Sequence, residues 1–273
     1  MVASLAVIGA GNMGRAIIDG ILDAHVIPAE ELLVVDMNQT PRRELAERGC
    51  VTTDRPLDAI TRDQMMLAVK PQSFPHLAGQ IGTLTKPTVI ITIMAGLHSS
   101  TIREALGENA RVVRVMPNTP CRARAGMAAV ALGEGAKPGD EELAMRIFES
   151  IGRAELVDES QMHAVTAVSG SGPAYVFLLA EAMQQAGVEL GLDESTAAAL
   201  ARQTITGAGR LLAESSDSPA ALREAVTSPG GTTEAAVNIL LERGLPEMLA
   251  EAITAARDRS EALEQPGDAS TVR

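Results

Sequence analysis

The chain has no tryptophan, one tyrosine and three phenylalanines in 273 residues. This poverty removes the stacking platforms on which proteins hold bases and sugars, and leaves a core to be built from Ala, Leu, Val and Ile. Cysteine is almost as scarce. Cys50 and Cys121 stand far apart, with no Cys-x-x-Cys and no histidine at metal-ligand spacing. No metal site is expected, and reduced thiols in a cytoplasmic protein fit best. No apolar run reaches bilayer-spanning length, and the opening residues lack a basic segment before glycines interrupt them, so they read as a first strand and not as a signal peptide. Basic residues number 23 against 35 acidic ones, for a net charge of −12. Their scatter argues against a nucleic-acid partner, which needs clustered cations. His25, His76, His98 and His163 each stand alone in turn-like or helix-start settings and read as surface or locally bonded groups.

What is present is an alternation. From Leu5 to Val157, short β-branched runs at Leu5–Ile8, Leu32–Val35, Met65–Val69, Thr88–Ile93, Val112–Val115, Met127–Leu132 and Ala154–Val157 are separated by helix-length segments. Two of these, Met13–Ala24 and Pro41–Arg48, read clearly as helices. This is the pattern of βαβ units and a parallel sheet. After Val157 the strand signal stops, and Ala- and Leu-rich stretches predict helices at His163–Leu190, Glu194–Glu214, Pro219–Val226, Thr233–Glu242 and Pro246–Glu264. The fold class is therefore an α/β dinucleotide-binding domain of Rossmann type over 1–158, followed by an all-α domain over 159–273. Asp158-Glu159-Ser160 caps the first helix of that second domain, and 265–273 reads as a disordered tail. Helices apolar on several faces predict a dimer or larger assembly.

Gly9-Ala10-Gly11-Asn12-Met13-Gly14 follows the first strand and opens a helix, the context a G-x-G-x-x-G fingerprint requires. Gly9 makes the turn, Gly11 lets the backbone approach a pyrophosphate, and Gly14 lets helix and strand pack closely. Asp36 ends the second strand 22 residues past Gly14, near the offset of about 20 at which an acidic group meets the adenosine ribose hydroxyls. It favours NADH, although Arg42, Arg43 and Arg55 lie close enough in sequence to reach a 2′-phosphate. Ala68-Val69-Lys70-Pro71 ends a later strand on the ligand-binding edge, where Lys70 either faces the cofactor or is a solvated turn residue. The loops with Ala95 and Asn118 follow strands too and should line the same crevice. Ser228-Pro229-Gly230-Gly231-Thr232-Thr233-Glu234 opens a helix far from this motif. Two readings are open. It is an anion site, with the amides of Gly231, Thr232 and Thr233 unpaired at a helix start, or an ordinary helix entry with Gly231 as N-cap and Glu234 reaching back.

Together with Gly9–Gly14 and Val69-Lys70-Pro71, three longer motifs cover nearly the whole chain. They are Arg114-Val115-Met116-Pro117-Asn118-Thr119-Pro120, Val168-Ser169-Gly170-Ser171-Gly172-Pro173-Ala174-Tyr175, and Val226-Thr227-Ser228-Pro229-Gly230-Gly231-Thr232-Thr233. In these the chain resembles pyrroline-5-carboxylate reductase. The resemblance implies reduction of 1-pyrroline-5-carboxylate to L-proline with NADPH or NADH, and a homodimer, often in rings, formed by the C-terminal helices. It further implies that Ser228, Gly230, Gly231, Thr232 and Thr233 hold the substrate carboxylate, that the Thr233 hydroxyl meets the ring nitrogen, and that Ser169 begins the helix at the substrate interface. Thr233, Lys70 and Ser228 are the expected catalytic group. Gly9, Gly11, Asn12, Met13, Gly14, Asp36, Ala68, Val69, Lys70, Pro71, Ala95 and Asn118 are the expected cofactor contacts. Asp36 and Arg55 depart from the family pattern, where a small or neutral residue and an Asn are frequent, which pulls against the NADPH preference usual in the family.

Two rivals remain. A two-domain keto-acid reductase would need a Lys or His in the helical half, and none occurs from Ser169 to Glu242. A non-catalytic dinucleotide sensor would not need the two later motifs.

Overall fold

A computed structural model of the chain describes residues 4–264, so the tail expected at 265–273 lies outside the described residues. By contact density the chain forms two compact units, one of residues up to Ser171 together with the stretch from Ala256 on, the other Gly172–Ala255.

The first unit is built on an eight-stranded sheet: β1 Leu5–Ile8, β2 Leu32–Val35, β3 Val51–Thr53, β4 Gln64–Leu67, β5 Thr88–Thr92, β6 Ala110–Pro117, β7 Gly126–Leu132 and β8 Gly152–Leu156. The strand order is β3-β2-β1-β4-β5-β6-β7-β8. Pairing is parallel except between β6 and β7, which run antiparallel, so the sheet is parallel in its main part and not throughout. Residue parity divides the core. Leu5, Val7, Leu32, Val34 and Met66 face helices α1 Asn12–Asp23 and α5 Glu142–Glu149, while Ala6, Ile8, Leu33, Val35 and Leu67 face α3 Phe74–Ile81 and α4 Ser99–Leu106. With both faces covered, β1, β2 and β5 are buried at every position and read in sequence as unbroken apolar runs. The remaining helix, α2 Gln39–Glu47, leads to β3, which the sequence reading did not draw: it has three residues at the sheet edge, and Val51 is exposed.

The entry to the helical part follows the expected cap. Asp158 and Gln161 form a reciprocal capping box, in which the Asp158 amide donates to Gln161 Oε1 at 3.0 Å. The long helix expected over His163–Leu190 is interrupted. It consists of α6 Met162–Val165, a π-helical turn Thr166–Gly170, and α7 Gly172–Glu189. The Thr166 hydroxyl bonds to the Met162 carbonyl, the Ser169 hydroxyl bonds to the Val165 carbonyl, and Pro173 has no N–H to continue the ladder.

The second unit contains α7, α8 Glu194–Glu214, α9 Pro219–Ala225, α10 Thr232–Glu242 and the first part of α11 Leu245–Glu264. α7 and α8 pack on each other, so closely that a Cβ on Gly187 would lie 3.1 Å from the Ala197 Cβ. No residue of α7 or α10 is buried. No helix among the described residues is long and apolar enough to cross a membrane.

Candidate active site

The direction of strand order reverses between β1 and β4, and in open α/β sheets ligands bind at the carboxyl ends of the strands at such a point. The glycine loop after β1 and Ala68-Val69-Lys70 after β4 meet there. A Cβ on Gly9, whose φ is +103°, would lie 2.5 Å from the Ala68 carbonyl oxygen, and one on Gly14 would lie 2.1 Å from the Gly9 oxygen. Only a bare backbone fits either place. Gly11 differs: nothing lies within 4 Å of its Cβ position, and as N-cap of α1 it offers no side-chain cap. The first amides of α1 therefore face open space, the cradle a pyrophosphate requires. Met13 packs its side chain on the core, leaving its amide as its contribution.

Asp36 follows β2 on the same edge, and both its oxygens are engaged. Oδ2 accepts from the Ala10 amide at 2.7 Å and Oδ1 from the Asn38 amide at 2.8 Å. The carboxylate thus braces the glycine turn, while each oxygen keeps a lone pair for a ribose hydroxyl. The three arginines near it all have carboxylate neighbours: Arg42 with Asp54 at 3.3 Å, Arg55 with Asp58 at 3.8 Å and Arg43 with Glu47 at 3.9 Å. Lys70 is exposed, precedes the turn opened by Pro71, and makes no ion pair among the described residues.

Ala95 stands exposed in the turn after β5. Asn118, after β6, spends its amide on the protein: Nδ2 donates to the Ser169 carbonyl at 3.1 Å, and Oδ1 accepts from the Met127 amide at 2.9 Å. It ties the strand end to the π turn that carries Ser169, and π turns recur at functional sites. Gly170 lies over Met116, whose Cε would be 2.6 Å from a Cβ there.

In the second unit, Ser228–Thr233 forms the turn that starts α10. Gly230 has φ +71°, and its amide donates to Glu234 Oε2 at 2.8 Å. The Gly231 amide, expected to be unpaired, donates instead to the Ser228 carbonyl at 3.0 Å. The turn is closed by its own backbone, and Glu234 reaches back as a cap would. The amides and hydroxyls of Thr232 and Thr233 have no partner among the described residues. An anion held here would rest on those groups.

Both cysteines, Cys50 and Cys121, are free and buried, and burial pushes their thiols up, outweighing Arg48 and Arg15 at Cys50, which makes them poor nucleophiles. A buried polar cluster around Arg114, joining Glu159, Glu264 and His163, was not foreseen in the sequence. Its signal was an arginine inside the apolar run Val112–Val115.

Comparison with known proteins decides the family. A pyrroline-5-carboxylate reductase dimerisation model matches residues 159–263, and a coenzyme F420-dependent NADP oxidoreductase model matches residues 4–96. The pyrroline-5-carboxylate reductase of Methanosarcina acetivorans is 38% identical over 94% of this chain and 96% of its own. The chain belongs to the pyrroline-5-carboxylate reductase family. Among solved structures, the pyrroline-5-carboxylate reductase of Coxiella burnetii superposes with a TM-score of 0.92 at 33% identity, covering 97% of this chain and all (100%) of that one. The Plasmodium falciparum pyrroline carboxylate reductase, solved with NADP bound, superposes at 0.81 with 28% identity, covering 96% and 98%. The reductase architecture thus spans both units. The chain is an NAD(P)H-dependent oxidoreductase by family, and the cradle at Gly11 fits such a cofactor.

Proposed function

We propose that this chain reduces 1-pyrroline-5-carboxylate to L-proline with NADPH or NADH, the last step of proline biosynthesis. The observation that carries the reading is the near full-length identity with the archaeal reductase. The donor pattern of the α10 turn supports it: unpaired amides and hydroxyls at Thr232 and Thr233, with no Lys, His or Asp in Ser228–Thr233.

A cyclic imine makes few demands. In its protonated form the carbon of the C=N bond accepts hydride, the π electrons move to nitrogen, and the product is a neutral secondary amine, which then takes a proton from solvent to become the ammonium. The dinucleotide, when bound, supplies that hydride. The chain has to hold the ring and fix its face. The Thr232 and Thr233 amides hold the carboxylate, with Ser228, Gly230 and Gly231 shaping the turn, and the Thr233 hydroxyl meets the ring nitrogen. Ser169 contributes from the π turn. Lys70 adds positive potential at the sheet edge.

Gly9, Gly11, Asn12, Met13 and Gly14 hold the pyrophosphate, Asp36 the adenosine ribose, and Ala68, Val69, Lys70, Pro71, Ala95 and Asn118 line the nicotinamide side. Asp36 tilts the preference toward NADH. The enzyme works as a homo-oligomer through its C-terminal helices. No residue of α7 is fully buried within the chain, and an open groove of about 810 Å³ runs along α7 and α8, lined by Val176, Phe177, Ala180 and Ile205 among others. Free, buried cysteines suit a cytoplasmic setting.

The test is a spectrophotometric assay of the purified protein. NADH or NADPH should be consumed with 1-pyrroline-5-carboxylate and not with simple 2-keto acids. Consumption with a keto acid and not with the imine would sink the assignment.

A further inference from the structure

The chain passes between its two compact units twice, once after Ser171 and once before Ala256. Both passages are tied to one side chain. Arg114, 7% exposed on β6, donates through one terminal nitrogen to Glu159 Oε1 at 3.1 Å and through the other to Glu264 Oε1 at 2.8 Å. Glu159 lies in the turn that leads to the outgoing passage, and Glu264 ends the helix that makes the return.

Each carboxylate is then fixed a second time. Glu159 accepts from the Ser99 hydroxyl at 2.7 Å and the Ser99 amide at 3.2 Å, and His98 Nε2 stands 3.7 Å from it. Glu264 Oε2 lies 3.0 Å from His163 Nε2, and the other ring nitrogen lies 3.0 Å from the hydroxyl of buried Ser260. His163 is one turn of chain before the π segment that ends at Gly170, and that segment is held at its far end by Asn118 on the Ser169 carbonyl. A planar guanidinium can serve two carboxylates at once with separate N–H groups; an ammonium on a flexible stem cannot do so in one geometry.

We propose that Arg114 is a positioning residue for turnover: by gripping Glu159 and Glu264 together it fixes, on the sheet unit, both the departure of the chain toward the helical unit and its return. The inference rests on the proposed reaction, because the two passages that Arg114 grips are the ends of the segment that carries the turn at Thr232–Thr233. In the proposed site the cofactor is held by the glycine loop, Asp36 and the strand ends, and the bonds of the Arg114 guanidinium go to Glu159 and Glu264 instead.

Arg114→Lys keeps the charge and can grip one carboxylate at a time. It should lower kcat/KM for 1-pyrroline-5-carboxylate by about ten- to a hundredfold, the scale of misplacement of reacting groups, while NADPH affinity by fluorescence titration stays within about twofold. Glu264→Gln keeps the hydrogen-bonding shape and releases only the return passage. It should show a smaller loss, and combined with Arg114→Lys should add less than its own effect. Hydrogen exchange of the folded full chain should quicken in both 159–171 and 256–264 for Arg114→Lys, and only in the second stretch for Glu264→Gln. Wild-type kcat/KM with unchanged exchange in Arg114→Lys would overturn the proposal, as would equal loss of cofactor affinity and turnover. If the wild type does not turn over the imine at all, the reaction fails as an assignment, and the exchange pattern still decides whether Arg114 pins both passages.

Discussion

Every residue of β1, β2 and β5 in the sheet unit is buried, whereas α7 in the helical unit buries none and leaves Phe177 and Leu178 each 65% exposed. The two regions are comparably apolar in sequence and end in opposite states. Strands find partners in their own chain, because parity divides Leu5 and Val7 from Ala6 and Ile8 and offers each set a layer of helices. The second unit holds only Ala197 and Ala201 among the buried apolar residues of the described chain, and its larger side chains point out. Such a surface calls for a complement, and in the proposed homo-oligomer that complement is a second copy.

The largest effect should come from breaking that complement. Leu178→Glu places a charge in the centre of the exposed apolar face. It should weaken self-association by about 2–4 kcal/mol, enough to yield monomers at assay concentration by sedimentation velocity. The sheet unit should not notice, so NADPH binding should survive while turnover falls. An unaltered oligomer, or a wild type already monomeric and fully active, would show that α7 is covered by nothing.

Next in size is the chemistry proposed for α10. Thr233→Val preserves the helix start and deletes one hydroxyl, so turnover should drop about ten- to a hundredfold, or about 1–3 kcal/mol, with cofactor affinity unchanged. Gly231→Ala should act on binding instead. Its Cβ would stand 2.7 Å from Ser228 Oγ and 2.9 Å from the Ser228 carbonyl oxygen, so the turn must shift and KM should rise more than kcat falls. Near-wild-type kinetics in Thr233→Val would leave the turn as a helix cap alone.

In the sheet unit the matching test is Asp36→Ser. Loss of the charge should improve NADPH relative to NADH by about 1–2 kcal/mol in kcat/KM. The same change frees the Ala10 and Asn38 amides that Asp36 now holds, so affinity for both dinucleotides should fall somewhat. An unchanged cofactor ratio would mean that Asp36 serves the turn only.

The contrast between the units also explains what the sequence disclosed. Sheet strands were legible as apolar runs because both faces are covered, and the glycine loop was legible because its spacing and its place after a strand are fixed by close backbone contacts at Gly9 and Gly14. β3 was not, since an edge strand of three residues with Val51 exposed has no periodicity to display. The break in the helix after His163 was hidden because helical spacing of apolar residues persists through a π turn, and only Gly170, Gly172 and Pro173 hinted at it. Pairing of the Gly231 amide with Ser228 depends on the handedness of Gly230, which a glycine leaves open in sequence. Least visible was the Arg114 cluster. Its members are separated by 45 and 150 positions, and only the fold brings them together.

The smallest effect concerns that cluster's response to acid. Burial pushes the Glu159 carboxyl up, but the Ser99 hydroxyl, the Arg114 guanidinium and the Ser99 amide together outweigh it, so the folded protein holds this proton less tightly than an unfolded chain does. Its contribution to stability is then complete above the unfolded value of about 4.3, and is lost as pH falls through the lower folded value. Ser99→Ala removes one of the bonds that favour the ionised form. It should cost about 1–2 kcal/mol at pH 7, part of it from the Glu134 amide that also donates to Ser99 Oγ at 2.9 Å and would lose its acceptor at any pH. The gap between wild type and variant, from denaturant melts repeated between pH 7 and pH 3, should therefore narrow on acidification without closing. A gap of constant size would mean that Ser99 does not distinguish the charged carboxylate from the neutral acid, and that the wide separation in sequence between Ser99 and Glu159 is bridged by packing alone.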